Sequence, residues 1–203
     1  MLEGSDRGRR RLPRHLRRAP APEAPFAYEI RPAVRTDVPQ IREIYNHYVS
    51  NSVVTFDERR WSHAQWFDKF DHLHRLDMPF LVAVSGSGQV LGYALGSPWT
   101  GTSGSRYTVE SSIYLGHAAT GKGLGRALLQ ALIAACEQRG MRQIVAVISD
   151  KGADASIALH RRLGFVEVGR MGRVGFKFGR WLGTVYLQKS LKPARRSWFA
   201  RRR

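Results

Sequence analysis

Glu110 stands in the middle of Tyr107-Thr108-Val109-Glu110-Ser111-Ser112-Ile113-Tyr114-Leu115, a run rich in β-branched and aromatic residues. A carboxylate among apolar neighbours is costly unless it is paired or used. Partial burial would raise its pKa toward a value useful for proton transfer. The plain alternative is a structural glutamate bonded to a neighbouring strand or loop. Shortly after it, Thr120-Gly121-Lys122-Gly123-Leu124-Gly125 opens a helix-like run. Such a turn gathers unpaired amides at the positive end of a helix dipole, an anion site suited to phosphate or pyrophosphate. Gly121, Gly123 and Gly125 let the backbone approach a ligand with no Cβ in the way. Lys122 and Arg126 can face a diphosphate, although as solvated charges they need no ligand. The third candidate is His160, where a neutral imidazole could accept a proton or hold a water. A lone helical histidine is more often structural.

Two common phosphate loops do not fit. The dinucleotide fingerprint needs G-x-G-x-x-G, and here the glycines alternate. The nucleotide-triphosphate loop needs Gly-Lys followed by Ser or Thr, and Lys122 is followed by Gly123. A glycine-rich β–α turn without any ligand stays open at this point.

These residues need elements to hold them. Tyr28 to Ala33 reads as a first strand; Thr36-Asp37 offers a cap for a helix striped by Val38, Ile41, Ile44, Tyr45 and Tyr48. Ser62 caps a second helix carrying Trp66, Phe67, Phe70 and Leu73. Phe80–Val84 and Val90–Leu95 flank Ser85-Gly86-Ser87-Gly88, a hairpin signal. The strand of Glu110 follows, then a helix from Leu124 to Gly140. Ile144 to Ile148 is continuously apolar, as in a strand buried on both faces. Ser156, a cap or early-turn residue, begins the helix of His160, which Gly164 ends. Two further strands bend near Gly169, Gly172, Gly175 and Gly179. The order β-α-α-β-β-β-α-β-α-β-β predicts an α/β (mixed α+β) domain, a mixed central sheet flanked by helices.

The chain has 203 residues and a formal charge of +17. Residues 1–24 hold seven Arg against three acids, and residues 189–203 hold seven basic residues and no acid. Most of the excess therefore lies at the ends. The expected division is a disordered basic extension over 1–27, a folded domain over 28–191 and a basic tail over 192–203. The default reading of these tails is solvated charge; nucleic acid could be a partner only through them. No apolar run reaches the roughly 18 residues of a membrane span. The single cysteine, Cys136, cannot form an internal disulfide and suits a reducing cytoplasm; it reads as a core residue. No Cys/His group has metal-ligand spacing, so no metal is expected.

Several motifs together carry a resemblance. Ile30-Arg31-Pro32-Ala33, Tyr45-Asn46-His47-Tyr48-Val49 with Thr55-Phe56, and Gly92-Tyr93-Ala94 with Pro98-Trp99 come first. The strand of Glu110, Ser156 through His160, Leu163-Gly164-Phe165 and Val174 through Trp181 continue it. In this order and spacing the chain resembles the GNAT N-acetyltransferases, and within them the phosphinothricin N-acetyltransferase family, over about residues 28–191. The glycine loop is similar to their acyl-coenzyme A loop, Gln/Arg-x-x-Gly-x-Gly/Ala, with Thr120 in the Gln/Arg place.

The resemblance implies acetyl transfer from acetyl-CoA to the primary amine of a small amino-acid-like acceptor, of phosphinothricin or methionine sulfone or sulfoximine type. It implies Glu110 as general base, acting directly or through water, and His160 in the active site. The main chain of Ile113, Tyr114 and Leu115 would pair with pantetheine amides, and one N–H would polarise the acetyl carbonyl. Thr120 through Arg126 and Ser156 would complete the cofactor site, with Tyr114 or Tyr107 protonating the departing thiolate. A homodimer is expected, its strand-rich C-terminal part packed between subunits. Three departures from the family, one of them a pair of positions, bear on the substrate. Thr100 and Thr102 replace a basic pair, leaving Arg106 as anion partner; Ala153 replaces an Asn; Gly183 replaces an acid. Alternative readings are acetylation of a protein or peptide amine, or a non-catalytic CoA- or nucleic-acid-binding protein.

Overall fold

Alternation along the strands sorts apolar side chains into two layers. Val82, Val84, Tyr93 and Leu95 pack with Val38, Ile41, Trp66 and Leu73 on one face of a sheet. Ala83, Ala94, Val109, Ile144, Ala146, Val185 and Leu187 pack with Leu124, Leu128, Leu129 and Leu132 on the other. The computed structural model describes residues 27–192. All but Ala27 and Lys192 of the two basic segments expected at the ends lie outside these residues.

The elements are β1 (Glu29–Pro32), α1 (Val38–Asn51), α2 (His63–Arg75), β2 (Phe80–Val84), β3 (Val90–Pro98) and β4 (Thr108–Leu115). Then follow α3 (Leu124–Gln138), β5 (Gln143–Ser149), α4 (Asp154–Arg162), β6 (Val166–Lys177) and β7 (Arg180–Ser190). This is the element order the sequence predicts. The sheet runs β1-β2-β3-β4-β5-β7-β6. Only β4 and β5 pair in parallel, Thr108 to Ser111 against Gln143 to Ala146; every other pair is antiparallel.

Local signals explain the elements. Ser62 caps α2 in a reciprocal box: its Oγ accepts from Gln65 N–H at 3.2 Å, and its N–H donates to Gln65 Oε1 at 2.8 Å. The β2–β3 hairpin turns through Gly88 at φ +82°. Phe178 and Gly179, at φ +48° and +72°, make the two-residue turn between β6 and β7. Gly169, Gly172 and Gly175 sit at or within the two register shifts of that hairpin. Gly164, at φ +83°, follows the end of α4.

The expected Thr36-Asp37 helix cap needs correction. Asp37 precedes α1 with helical backbone angles and its side chain makes no cap bond. Its carboxylate turns back, accepting from Arg31 at 2.7 and 2.9 Å and from the Val34 amide at 2.9 Å. Burial by itself would raise the Asp37 carboxyl; those donors and the Arg31 charge outweigh it and hold it low. A salt bridge to β1 won over the cap because Arg31 offers two charge-assisted bonds at once.

Candidate active site

Beyond Ser111 and Ala146 the parallel ladder stops while both strands continue, so β4 and β5 splay apart. A cleft of about 620 Å³ fills the splay. Its walls come from β4, β5, the glycine loop, α4 and the loop after α1, with Thr184 of β7 at its base.

Strand pairing decides which main-chain groups face it. Gly116 N–H donates to Leu91 O at 2.8 Å, and Trp99 N–H to Thr108 O at 3.3 Å. Given the β3–β4 register, hydrogen-bonded pairs fall at Tyr93–Tyr114, Leu95–Ser112 and Ser97–Glu110. Tyr114 is thus engaged with β3, whereas Ile113 and Leu115 turn their amides and carbonyls toward the cleft. The sequence grouped all three; the ladder divides them. Tyr48 of α1 fastens this edge, its hydroxyl donating to Leu115 O at 2.8 Å.

At the far end the glycine loop meets α3. Gly121 and Gly123 have φ of +75° and +78°, and a Cβ on either would meet nothing within 4 Å. The amides of Gly121, Gly123, Leu124 and Gly125 donate to no carbonyl among the described residues. Gly125 is closer-set: its Cβ would stand 3.4 Å from both Leu115 Cδ1 and Leu159 Cδ2. Open amides at the start of a 15-residue helix fit an anion such as a diphosphate. Leu124 puts its side chain in the core, leaving only its amide to the loop. Thr120 lines the cleft, but its hydroxyl donates to His117 O at 3.0 Å. Lys122 and Arg126 are exposed beside the loop and do not line the cleft.

Glu110 shares its sheet face with Ser112 and Tyr114, the α1/α2 side, and its side chain lines the cleft. Its carboxylate makes no hydrogen bond or ion pair among the described residues, so nothing there supports a purely structural bonding role. Burial raises its pKa, and the Lys69 charge on α2 partly restrains the rise. Tyr114, pushed up to about 12 by burial, packs edge-on to Tyr45 at 5.3 Å and lines the same cleft. Tyr107, in contrast, is 49% exposed and does not line it.

His160 reaches the cleft from α4 and is 2% exposed. Its Nδ1 lies 2.8 Å from the Ser156 carbonyl, which can only accept, so Nδ1 carries the proton. Nε2 is then a buried lone pair with no partner. Burial lowers the imidazole's pKa and keeps it neutral. Ser156 is an early-turn residue, not the cap; Ala153 takes the cap position without a side-chain bond. Thr184 Oγ1 is a second buried, unpartnered polar atom on the cleft wall.

The substrate residues expected from sequence lie elsewhere. Thr100, Thr102 and Ser105 hydrogen-bond one another at 2.6 to 3.0 Å, and Arg106 donates to Ser103 O at 2.8 Å beneath the edge of this loop. None of them lines the cleft. Sequence reasoning did not single out Thr55 and Phe56 as site residues; they arrive through the loop after α1. Lys177 of β6, 1% exposed, holds that loop by donating to Thr55 O at 2.9 Å. Gly183 also gains a reason: a Cβ there would stand 2.5 Å from Met171 O and 2.7 Å from Asp150 Oδ2. Among the described residues no group of His, Cys, Asp and Glu is assembled as a metal site.

The profile of the acetyltransferase (GNAT) family matches residues 39–165. The chain is 45% identical to the L-methionine sulfoximine/L-methionine sulfone acetyltransferase of Pseudomonas aeruginosa, over 82% of this chain and 96% of that one. It is 39% identical to the phosphinothricin N-acetyltransferase of Alcaligenes faecalis, over 76% of this chain and 78% of that one. A solved structure of a GNAT superfamily phosphinothricin acetyltransferase from Sinorhizobium meliloti, in complex with AcCoA, superposes with a TM-score of 0.77. It is 43% identical and the match covers 81% of this chain and 88% of that one.

Proposed function

The chain belongs to the acetyltransferase (GNAT) family, and on that premise we propose that it acetylates the primary amine of a small amino-acid-like acceptor, with acetyl-CoA as donor and Glu110 as general base. Acceptors of the methionine sulfone, methionine sulfoximine and phosphinothricin kind are the first to try, given the relatives' activities. The observation that carries the reading is the splay. One continuous cleft joins the open amides at the start of α3, the free β4 edge at Ile113 and Leu115, and the unpartnered carboxylate of Glu110.

Acetyl-CoA supplies a thioester whose acetyl group passes to the amine as the N–C bond forms and the C–S bond breaks. Gly121, Gly123, Leu124 and Gly125 would hold its diphosphate, and the β4 edge its pantetheine amides. A free amide of Ile113 or Leu115 polarises the carbonyl where negative charge develops. Glu110 takes the proton from the attacking nitrogen, directly or through one water. The buried lone pair of His160 Nε2, on a residue that lines the cleft, would accept a hydrogen bond from a water or from the acceptor that reaches it. Tyr114, protonated at neutral pH, is the donor for the departing thiolate. The exposed apolar side chains of β6 and β7, Val166, Val168, Met171, Val174, Phe176 and Trp181, support a homodimer built on that hairpin.

Thiol release from acetyl-CoA, measured across a panel of amino acids and amines, tests the proposal. Glu110→Gln is expected to lower kcat about 100-fold or more and leave CoA affinity within about twofold. Near-normal turnover in that variant would remove Glu110 from the chemistry.

A further inference from the structure

The carboxylate of an amino-acid acceptor needs a cation, and the sequence offered Arg106 for it. That guanidinium is engaged with Ser103 O and lies 4.6 Å over the Tyr107 ring, away from the cleft. A different cation, Lys69 of α2, is near enough to Glu110 for the two charges to act on each other, although it too is absent from the cleft lining. Lys69 lies three residues after Trp66 on the inner side of α2. Its Nζ sits 5.4 Å from the Trp61 ring centre and 5.6 Å from that of Trp66. Both rings belong to the cluster around Tyr45, which in turn packs on Tyr114.

Lys69 is only partly exposed, yet among the described residues it makes no hydrogen bond and no ion pair. Two carboxylates are near enough for their charges to act on it, Glu110 and Asp57. Asp57 is already occupied: it accepts from Tyr45 OH at 2.5 Å and from Trp61 Nε1 at 2.7 Å. Glu110 is unbonded and lines the cleft. An ammonium withdrawn from water without an acceptor is destabilising unless a partner arrives. An α-amino acid brings one, since it carries amine and carboxylate on the same carbon. The neighbouring Glu110 and Lys69 present the opposite pair of charges.

We propose that Lys69 is a specificity-determining residue, its ammonium receiving the acceptor's α-carboxylate while the α-amine lies at Glu110. This rests on the acetyl-transfer reading of the cleft. Lys69 thereby supplies the anion contact that Thr100 and Thr102 do not make, from a helix and not from the loop after β3.

The test compares methionine sulfone with 3-(methylsulfonyl)propan-1-amine, the same molecule without its carboxylate, by thiol release from acetyl-CoA. Lys69→Met should raise KM for methionine sulfone about 10- to 100-fold, the range of a lost charge-assisted hydrogen bond, with kcat within about threefold. Kinetics with the propanamine should move less than about threefold, and Lys69→Arg should keep most of the preference. If both substrates suffer equally, with a common shift of the acid limb of the pH profile, Lys69 acts through Glu110 and the proposal falls. It falls too if neither substrate responds to Lys69→Met and Lys69→Gln, or if Arg106→Ala removes the preference instead. A wild-type enzyme that takes the propanamine but no amino acid overturns the role of Lys69 and leaves acetyl transfer standing. No thiol release with any amine overturns both.

Discussion

Glu110 is maintained against its own solvation. The carboxyl is partly buried, unbonded and titrates above the usual glutamate range. If its charged form takes the proton, as proposed, kcat/KM should fall as pH drops through that raised value, and Glu110→Gln should abolish this acid limb. Stability moves the other way. A carboxyl with a raised folded pKa binds more protons in the native state between its unfolded and folded values, so stability falls as pH rises through that window. Above it the penalty is constant, and Glu110→Gln removes it. At pH 8 that variant should therefore melt at a higher temperature while turning over far more slowly. A lower Tm would mean the carboxylate is bonded in solution. At this scale the sequence disclosed what is local. Glu110 was visible as a charge amid β-formers, and the loop amides as a glycine pattern before a helix. Thr55, Thr184 and the bare nitrogen of His160 were not, because each acquires its place only when distant segments meet. Lys69 did leave a trace, a charge three residues after Trp66 on the apolar stripe of α2.

Elements fix the position of those groups through a few tight contacts. The β6–β7 hairpin reaches back over the loop after α1, where buried Lys177 holds Thr55 and Gly175 lies against Phe56. A Cβ on Gly175 would come within 2.5 Å of Phe56 Cδ2 and 3.1 Å of Cγ, so the whole ring must shift. Gly175→Ala should raise KM for the acceptor at least fivefold, destabilise the fold by about 1–3 kcal/mol and leave CoA affinity unchanged. Calorimetry with CoA and acceptor kinetics would measure this; unchanged acceptor KM would mean that Phe56 does not shape the acceptor end. Element order was legible because apolar and β-branched runs bounded by turn residues mark the strands and clear stripes mark the helices. The role of Asp37 was not, because Arg31 on β1 competes for the same carboxylate, and a local cap rule contains no information about β1.

At the scale of the molecule, most of the exposed large apolar side chains among the described residues lie on β6, β7 and the turn between them. Phe176 and Trp181 are 53% and 51% exposed and pack edge-to-face on each other at 5.3 Å. Analytical ultracentrifugation should find a species near twice 22.9 kDa, and Phe176→Glu with Trp181→Glu should convert it to single chains. A monomeric wild type would assign these side chains to another partner. Sequence hinted at this only through resemblance: β6 alternates poorly, and three glycines hide which side chains end outward.

The four-rung joint between β4 and β5 has a further consequence. With Ile113 and Leu115 unmatched, the acyl donor would act as a missing strand, so catalytic fuel doubles as mortar. Hydrogen exchange at those two amides should slow at least tenfold on adding CoA, while that at Tyr93 and Leu95 stays put; equal rates would deny it. At 100 times its Kd the donor would add about 2.7 kcal/mol of stability. A cell short of coenzyme A in either form would then hold this protein in a looser, more protease-prone form, tying its lifespan to the supply of that carrier.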